Sequence, residues 1–341
     1  MLPGLLEKVI AKEDLTEDEA ENLMSLIMTG GLSDIQVAGF LVALRSKKES
    51  ATEISAFARV MRREAIQLKI DSTPVIDTCG TGGDKSNLIN ISTLSAIVLA
   101  SMKVNVAKHG NRSVSSACGS ADLLEHLGYP LQEDAPATAR RLSESHFAFM
   151  FAPGYHPAMK YAIGPRKALE IRTVFNILGP LSNPAHAEIQ LMGVYSSDLQ
   201  PLMAESLQNL GTECALVVHS EEGLDEISPI GKTDLVLLNQ GAISTHKIDA
   251  TSLNLKINSL SSIQAQTKDE AFEKAHQIIR GEFIEGIEVV ALNATAALYL
   301  YDLYQKNTDK NPQDYIQERL PAIISFISEG NCQPLVSGWA G

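Results

Sequence analysis

The chain reads as an α/β protein with an all-helical start: a small helical domain ahead of a large α/β domain built on a mostly parallel central sheet. Two observations predict this. Over residues 1–70, apolar positions recur at helical spacing behind three Ser/Thr-x-x-Glu/Gln signals. Beyond Asp71-Ser-Thr-Pro74 the pattern changes to short runs rich in Val, Ile and Leu separated by helical stretches, the alternation that builds parallel strands with crossover helices. The composition agrees: 45% hydrophobic with 5% aromatic suits such a body, and 341 residues exceed one small core.

The elements follow in order. Thr16 with Glu19, Ser33 with Gln36 and Ser50 with Glu53 each fit a capping box, with helices running on through Ile27, through Leu44 and towards Ile66. The first strand is Val75-Ile76-Asp77, and it enters the block DTCGTGGDKSNLINIST, Asp77 to Thr93. Gly80, Gly82 and Gly83 lack a Cβ, so the chain can turn sharply and bring N–H groups against an anion. Asn90, Ser92 and Thr93 precede the apolar stretch Leu94–Ala100, which reads as a helix capped by hydroxyls, its positive dipole end adding to the same site. Two familiar phosphate loops do not fit. In G-x-G-x-x-G the last glycine falls at Lys85, and G-x-x-x-x-G-K-[ST] has no register here. Alone, the block also fits an ordinary strand-to-helix turn.

After the strand-like VNVA comes KHGNRSVSSACGSADLLEHLG, Lys108 to Gly128. Lys108 and Arg112 supply charge, Ser113, Ser115, Ser116 and Ser120 short donors, and Gly110 and Gly119 close backbone approach, a composition suited to a polyanion. Further strands are IQLMGVY, CALVVHS and LVLL. In the intervening segment Tyr155–Ala185, Arg166 admits two readings, a surface ion pair or a bidentate clamp on a carboxylate beside Pro157, Met159 and Pro180. His109 and His156 are either packed, hydrogen-bonded histidines or substrate contacts. Asp225 and Glu226, in GLDEIS, are either solvated loop acids or hard ligands for Mg²⁺ held jointly with phosphates.

GTGGD, the N-x-S-T after it and KHGNRSVSS together resemble the anthranilate phosphoribosyltransferases of tryptophan biosynthesis. YHPAMKYAIGPRKALEIRTVFNILGPLSNPA is similar to that family's third long signature and GLDEIS to its metal-binding segment, and the likeness runs on to LNATAALYLYD near Asn293. The resemblance implies a class III nucleoside phosphorylase/phosphoribosyltransferase-like fold, with a helical domain of 1–70 completed by about 165–184. Residues 71–164 and 185–341 would form the domain that binds 5-phosphoribosyl 1-pyrophosphate (PRPP), with the active site in the cleft between. It implies PRPP contacts from Gly80, Gly83, Asp84, Asn90, Ile91, Ser92, Thr93, Lys108, His109, Gly110, Asn111, Arg112, Ser113, Val114, Ser115, Ser116 and Ser120. Anthranilate would meet Gly80, His109, Asn111, His156, Arg166 and Pro180. Ser92, Asp225 and Glu226 would hold metal, with two Mg²⁺ ions per site. The expected reaction needs no catalytic nucleophile, and a homodimer through the helical domain is expected. The chain departs from the pattern at Leu88, where many members carry a hydroxyl residue, at Glu170, where glycine is common, and at Thr295, another glycine position.

Charge and cysteines narrow the partners. With 28 basic and 41 acidic side chains the net charge is −13, which repels nucleic acid outside any local basic patch and sets the chain apart from nucleic-acid-binding members of the same fold. YHPAMK, Arg166 and Asn111 argue against a pyrimidine-nucleoside phosphorylase. Cys79, Cys118, Cys214 and Cys332 show no C-x-x-C spacing and read as reduced thiols. MLPGLLEKVI has no basic n-region, and no apolar run is expected to reach the roughly 18–20 residues of a membrane span, so the cytoplasm is the expected location.

Overall fold

The computed structural model describes residues 2–71, 73–84, 86–113 and 117–339. Four helices come first: α1 (Leu2–Ile10), α2 (Glu17–Met28), α3 (Asp34–Lys47) and α4 (Ala51–Arg63). All three capping boxes form, with Thr16, Ser33 and Ser50 accepting from the third helical amide and Glu19, Gln36 and Glu53 reaching back. Such caps satisfy otherwise orphaned amides and contribute about 1 kcal/mol each. Glu53 does more: fully buried, it also accepts from the Leu15 N–H at 3.0 Å and the Lys47 ammonium at 2.7 Å, fastening the start of α4 to the α1–α2 connection.

The α/β body begins with β1 (Ile76–Gly80), α5 (Ile91–Ser101), β2 (Val106–Gly110), α6 (Ser120–His126), α7 (Ala135–Ser145) and β3 (Phe147–Phe151). The chain then returns to the helical bundle with α8 (Ala152–Tyr155), α9 (Lys160–Leu169) and α10 (Phe175–Leu178). It resumes the sheet with β4 (Ile189–Gly193), α11 (Leu199–Asn209), β5 (Cys214–Ser220), β6 (Lys232–Asn239) and β7 (Ala242–Asp249), and closes with α12 (Lys268–Ile279), α13 (Ile284–Tyr304), α14 (Pro312–Ser328) and α15 (Gln333–Ser337). Strand order is β3-β2-β1-β4-β5-β6-β7. The first five are parallel and the last two antiparallel, so the mostly parallel sheet expected from the sequence is present.

One sheet face packs on α5, α13 and α14, with Val106, Leu191 and Leu216 meeting Leu94, Val290 and Ile316 in one buried cluster. The opposite face carries Met192, Val194 and Val217 into a second cluster with Leu23, Phe40 and Phe57 of the bundle and with Ala162, Phe175 and Leu178. The bundle therefore sits on the sheet, and the segment 160–181 shares its core.

Three expectations need correction. The strand expected at VNVA begins two residues later, at Val106, because Val104 and Asn105 still belong to the turn leaving α5. Strands β3 and β7 were not expected. The apolar-run expectation also fails: α13 is, by length and composition, long and apolar enough to cross a membrane. It is a core helix, with 78% of its apolar window buried between α5, α14 and the sheet.

Candidate active site

In an open parallel sheet, helix N-termini and loops converge at the carboxyl ends of the strands. Here Gly80 ends β1 opposite Gly193 of β4, and Gly110 ends β2 opposite Phe151 of β3. A Cβ on Gly193 would lie 1.5 Å from the Asp225 carbonyl oxygen, so glycine lets the 221–227 loop fold over the strand ends. After β1, Gly82 and Gly83 both take positive φ, 65° and 85°, which an L side chain adopts only under strain. The turn is fixed by the Gly82 N–H donating to Asp225 Oδ2 at 2.7 Å and the Thr81 N–H donating to the Gly193 carbonyl at 2.9 Å.

The hydroxyl cap expected for α5 is absent. The helix starts at Ile91, so Ser92 and Thr93 lie inside its first turn, and the N-cap Asn90 makes no side-chain cap. Its amide instead donates to the Cys118 carbonyl at 3.0 Å, joining the two loops. An uncapped N-terminus keeps its amides and dipole for other acceptors. One is Glu226, which accepts from the Ser92 N–H. Lys108 is buried and donates to the Thr78 carbonyl and, at 3.4 Å, to Ser92 Oγ. Burial lowers its pKa while Asp77 and Glu226 oppose the fall.

Three acids, Asp84, Asp225 and Glu226, crowd this edge, and a fourth, Asp77, lies further back in β1. Burial, then the neighbouring Asp84, pushes the Asp225 carboxyl up to about 7. Burial and Asp225 hold Glu226 well above the ordinary carboxylate range, with Lys108 pulling the other way. Asp77, also raised by burial, to about 6, accepts from Asn183 Nδ2 at 2.8 Å. Carboxyls forced together and out of water favour either protons or a cation. Among the described residues, no three His, Cys, Asp or Glu side chains form a set able to hold an ion unaided.

The second loop is held from behind. Asp122 accepts from the Ser113 and Gly119 amides, both at 3.0 Å, and the Asn111 carbonyl accepts from Ser120 Oγ at 3.1 Å. Arg112 is turned to the acids of α6, bidentate on Glu125 at 2.7 and 2.9 Å, so its charge is already matched. Val114, Ser115 and Ser116 lie outside the described residues.

On the bundle side, His109 and His156 stand 4.9 Å apart, ring to ring. His109 bonds to the Gly179 carbonyl and His156 to that of Ser182, and the Nε2 of each is sealed without a partner. Burial pushes them down to about 3 and about 4, so both are neutral at physiological pH. Pro180 follows Gly179, its carbonyl accepting from Gln190 at 2.6 Å. Arg166, half-buried, lies 5.3 Å over the Phe175 ring and forms no ion pair among the described residues. Burial lowers its pKa.

The histidine shifts give a stability prediction. Each unfolded imidazole binds a proton near pH 6.5, whereas the folded ones resist it. Stability from this source is thus present above 6.5 and falls by about 1.4 kcal/mol per pH unit per histidine on acidification. His109→Gln should lose about 2 kcal/mol less than the wild type between pH 6.5 and pH 5, read as a smaller drop in melting temperature. Equal drops would mean that His109 is not sealed.

Comparison with known proteins fits this geometry. Residues 72–321 match the glycosyl transferase family a/b domain, and residues 3–65 the helical bundle domain of the same family. The anthranilate phosphoribosyltransferase of Petrotoga mobilis is 46% identical over 295 residues, 86% of each chain, and that of Desulfatibacillum aliphaticivorans 44% identical over 336 residues, 96% of this chain and 99% of the other. This chain belongs to the anthranilate phosphoribosyltransferase family. Its fold matches the family's enzyme from Thermus thermophilus with a TM-score of 0.88 at 36% identity, over 98% of both chains. The Saccharomyces cerevisiae enzyme, solved in complex with PRPP and Mg, matches with a TM-score of 0.86 at 25% identity over 99% of this chain and 96% of that one.

Within this family member, sequence reasoning missed Asp77, Asn183 and Arg172. Asp77 carries the one available signal, an acid directly after the apolar Val75-Ile76 and three residues ahead of Gly80. Asn183 and Arg172 act through partners 106 and 89 positions away, a separation that local pattern does not reveal.

Proposed function

We propose that this protein transfers the phosphoribosyl group of PRPP to the amine of anthranilate, releasing N-(5-phosphoribosyl)anthranilate and pyrophosphate in tryptophan biosynthesis. The observation that carries this reading is a division of chemistry at one strand-end edge. Asp84, Asp225 and Glu226 crowd the glycine turn, while Arg166, with no ion pair among the described residues, lies over Phe175 in the segment whose Gly179 and Ser182 carbonyls hold the two neutral imidazoles. The first half suits a pyrophosphate ester with its cation, the second an aromatic carboxylate.

Within this reading the helical domain comprises 1–70 and about 165–184, supported by the core that α1–α4 share with Phe175, Leu178 and Leu181. PRPP would lie along Gly80, Gly83, Asp84, the start of α5 from Asn90 to Thr93, residues 108–116 and Ser120. Anthranilate lies against Gly80, His109, Asn111, His156, Arg166 and Pro180. The acids fit a hard divalent cation, since carboxylate oxygens drawn together at one buried turn are the donor set such a cation takes. Asp225, Glu226 and Ser92 would hold two Mg²⁺ ions shared with phosphate oxygens, and the metal supplies charge neutralisation on the departing pyrophosphate.

The chain's own residues do the rest. Amides of the glycine turn and of α5 stabilise negative charge as the ribose C1–O bond breaks. Lys108 adds a buried positive charge beside Ser92. Arg166 fixes the anthranilate carboxylate so that the amine, already neutral, faces C1, and orientation alone supplies up to roughly 7–11 kcal/mol. No side chain has to act as a nucleophile. Once the C1–N bond has formed, the extra proton on nitrogen leaves to water or the released pyrophosphate, since imidazoles lowered to about 3 and about 4 are weak bases.

The exposed apolar residues of α1, α3 and α9 (Ile10, Ile35, Val42 and Ile163) support a homodimer through the helical domain. Light scattering that finds only monomer at micromolar concentration would remove that part. The reading places the enzyme in the cytoplasm, without a nucleic-acid or membrane partner. The decisive experiment follows anthranilate fluorescence with PRPP, with and without Mg²⁺. Magnesium-dependent loss of signal is expected, and no loss in either condition would overturn the assignment.

A further inference from the structure

Arg172 has no role in the reaction as described, yet it touches the phosphate turn directly. It stands between α9 and α10, two residues after Glu170, whose φ of 50° swings the chain out of α9. Its Nη2 donates to the Gly83 carbonyl at 2.5 Å, and its guanidinium lies 4.1 Å over the Tyr195 ring. Its own carbonyl accepts from Arg45 of α3. No carboxylate pairs with Arg172 among the described residues, so the ordinary explanation for an arginine, an ion pair, does not apply. Its platform is itself tied to the turn, since the Tyr195 N–H donates to Thr81 Oγ1 at 3.1 Å.

The turn is therefore gripped twice, from opposite sides. Asp225 takes the N–H of Gly82, and Arg172, on a segment that packs with the bundle, takes the carbonyl of Gly83. A planar trans peptide points its C=O and N–H in opposite directions. Fixing the Gly83 carbonyl on Arg172 therefore aims the Asp84 N–H away from it. A charged donor on the carbonyl also polarises the peptide and strengthens its N–H as a donor. Two successive glycines at positive φ have little intrinsic preference for this orientation, so an external grip is needed.

We propose that Arg172 is a positioning residue that reaches from the α9–α10 segment to lock the Gly83–Asp84 peptide, presenting the amides of the turn to the pyrophosphate-bearing substrate. This rests on the function proposed above for the same site. It places one determinant of PRPP affinity on the segment that also carries Arg166, so that the two substrate sites share a structural element.

The test compares wild type, Arg172→Ala and Arg172→Lys by calorimetric titration with Mg²⁺ and PRPP, by steady-state kinetics and by thermal melting. Arg172→Ala should weaken PRPP binding roughly tenfold and raise the KM for PRPP to match, leaving the KM for anthranilate within about twofold. Arg172→Lys should recover part of the loss, because an ammonium can reach a carbonyl but cannot stack on Tyr195 as a planar guanidinium does. PRPP affinity of Arg172→Ala within twofold of wild type would overturn the proposal. So would an equal rise in both KM values accompanied by a fall in melting temperature that Arg172→Lys shares, because that pattern marks general support of the fold. If wild type binds PRPP without consuming anthranilate and Arg172→Ala loses that binding, the positioning role stands and the acceptor assignment falls.

Discussion

Arg166→Ala is expected to raise the KM for anthranilate about 100-fold while leaving the affinity for PRPP within about twofold. A charged, bidentate hydrogen bond to a carboxylate contributes up to about 3 kcal/mol, and each 1.4 kcal/mol is tenfold. The position suits that role because the guanidinium is partly withdrawn from water over Phe175 and pairs with no acid among the described residues. Arg166→Lys should fall between the two, keeping charge but losing the fork. Steady-state kinetics with each substrate varied in turn decide the matter. A proportional loss for both substrates would place Arg166 in the framework of the bundle instead of the acceptor site.

The fork at Arg166 shows where the sequence stops being informative. An arginine in a helical segment is compatible with a surface ion pair, and only the three-dimensional surroundings, where Arg166 forms no ion pair among the described residues, argue against that reading. The capping boxes at Thr16, Ser33 and Ser50 were legible because every partner lies within three residues. The glycine turn was legible too, since two adjacent glycines after an apolar strand leave few alternatives. The start of α5 was misread because Ser92 and Thr93 are good caps in isolation, whereas here Ser92 takes part in the Lys108 and Glu226 network and Asn90 is drawn to Cys118. β3, Phe147–Phe151, is a continuous apolar run that periodicity cannot tell from buried helix. β7 lies at the sheet edge and is mostly exposed, so it lacks the apolar content that marks a strand. Departures from the family pattern have local consequences. Glu170 occupies a left-handed position that a glycine would take without strain, and Thr295 is buried with its hydroxyl donating to the Ala291 carbonyl at 2.6 Å.

Asp225→Asn should separate stability from activity in opposite directions. In the metal-free protein the carboxyl has its pKa raised to about 7 by burial and Asp84, against an unfolded value near 3.9. The sign follows from proton binding. Between pH 4 and 7 the folded state binds the proton that the unfolded state has lost, so this residue favours folding at low pH and opposes it as pH rises through 7. An asparagine keeps the oxygen that accepts from the Gly82 N–H and removes the charge, so at pH 8 the variant should be more stable by about 1–3 kcal/mol, seen as a higher melting temperature. Activity should move the other way. If Asp225 holds metal with Glu226 and Ser92 as proposed, losing its anionic oxygen should lower magnesium-dependent kcat/KM by about 10³-fold, in the range typical for removing one preorganised electrostatic group. The same logic gives a pH dependence, because a cation must displace the proton. Wild-type affinity for Mg²⁺ with PRPP should therefore strengthen as pH rises from 6 to 8, and in Asp225→Asn that slope should flatten. A variant that is both less active and less stable at pH 8 would mean that Asp225 serves the turn more than the metal. Because Gly193 exists as glycine to let the 221–227 loop reach Gly82, that outcome would relocate the purpose of the whole loop from chemistry to folding.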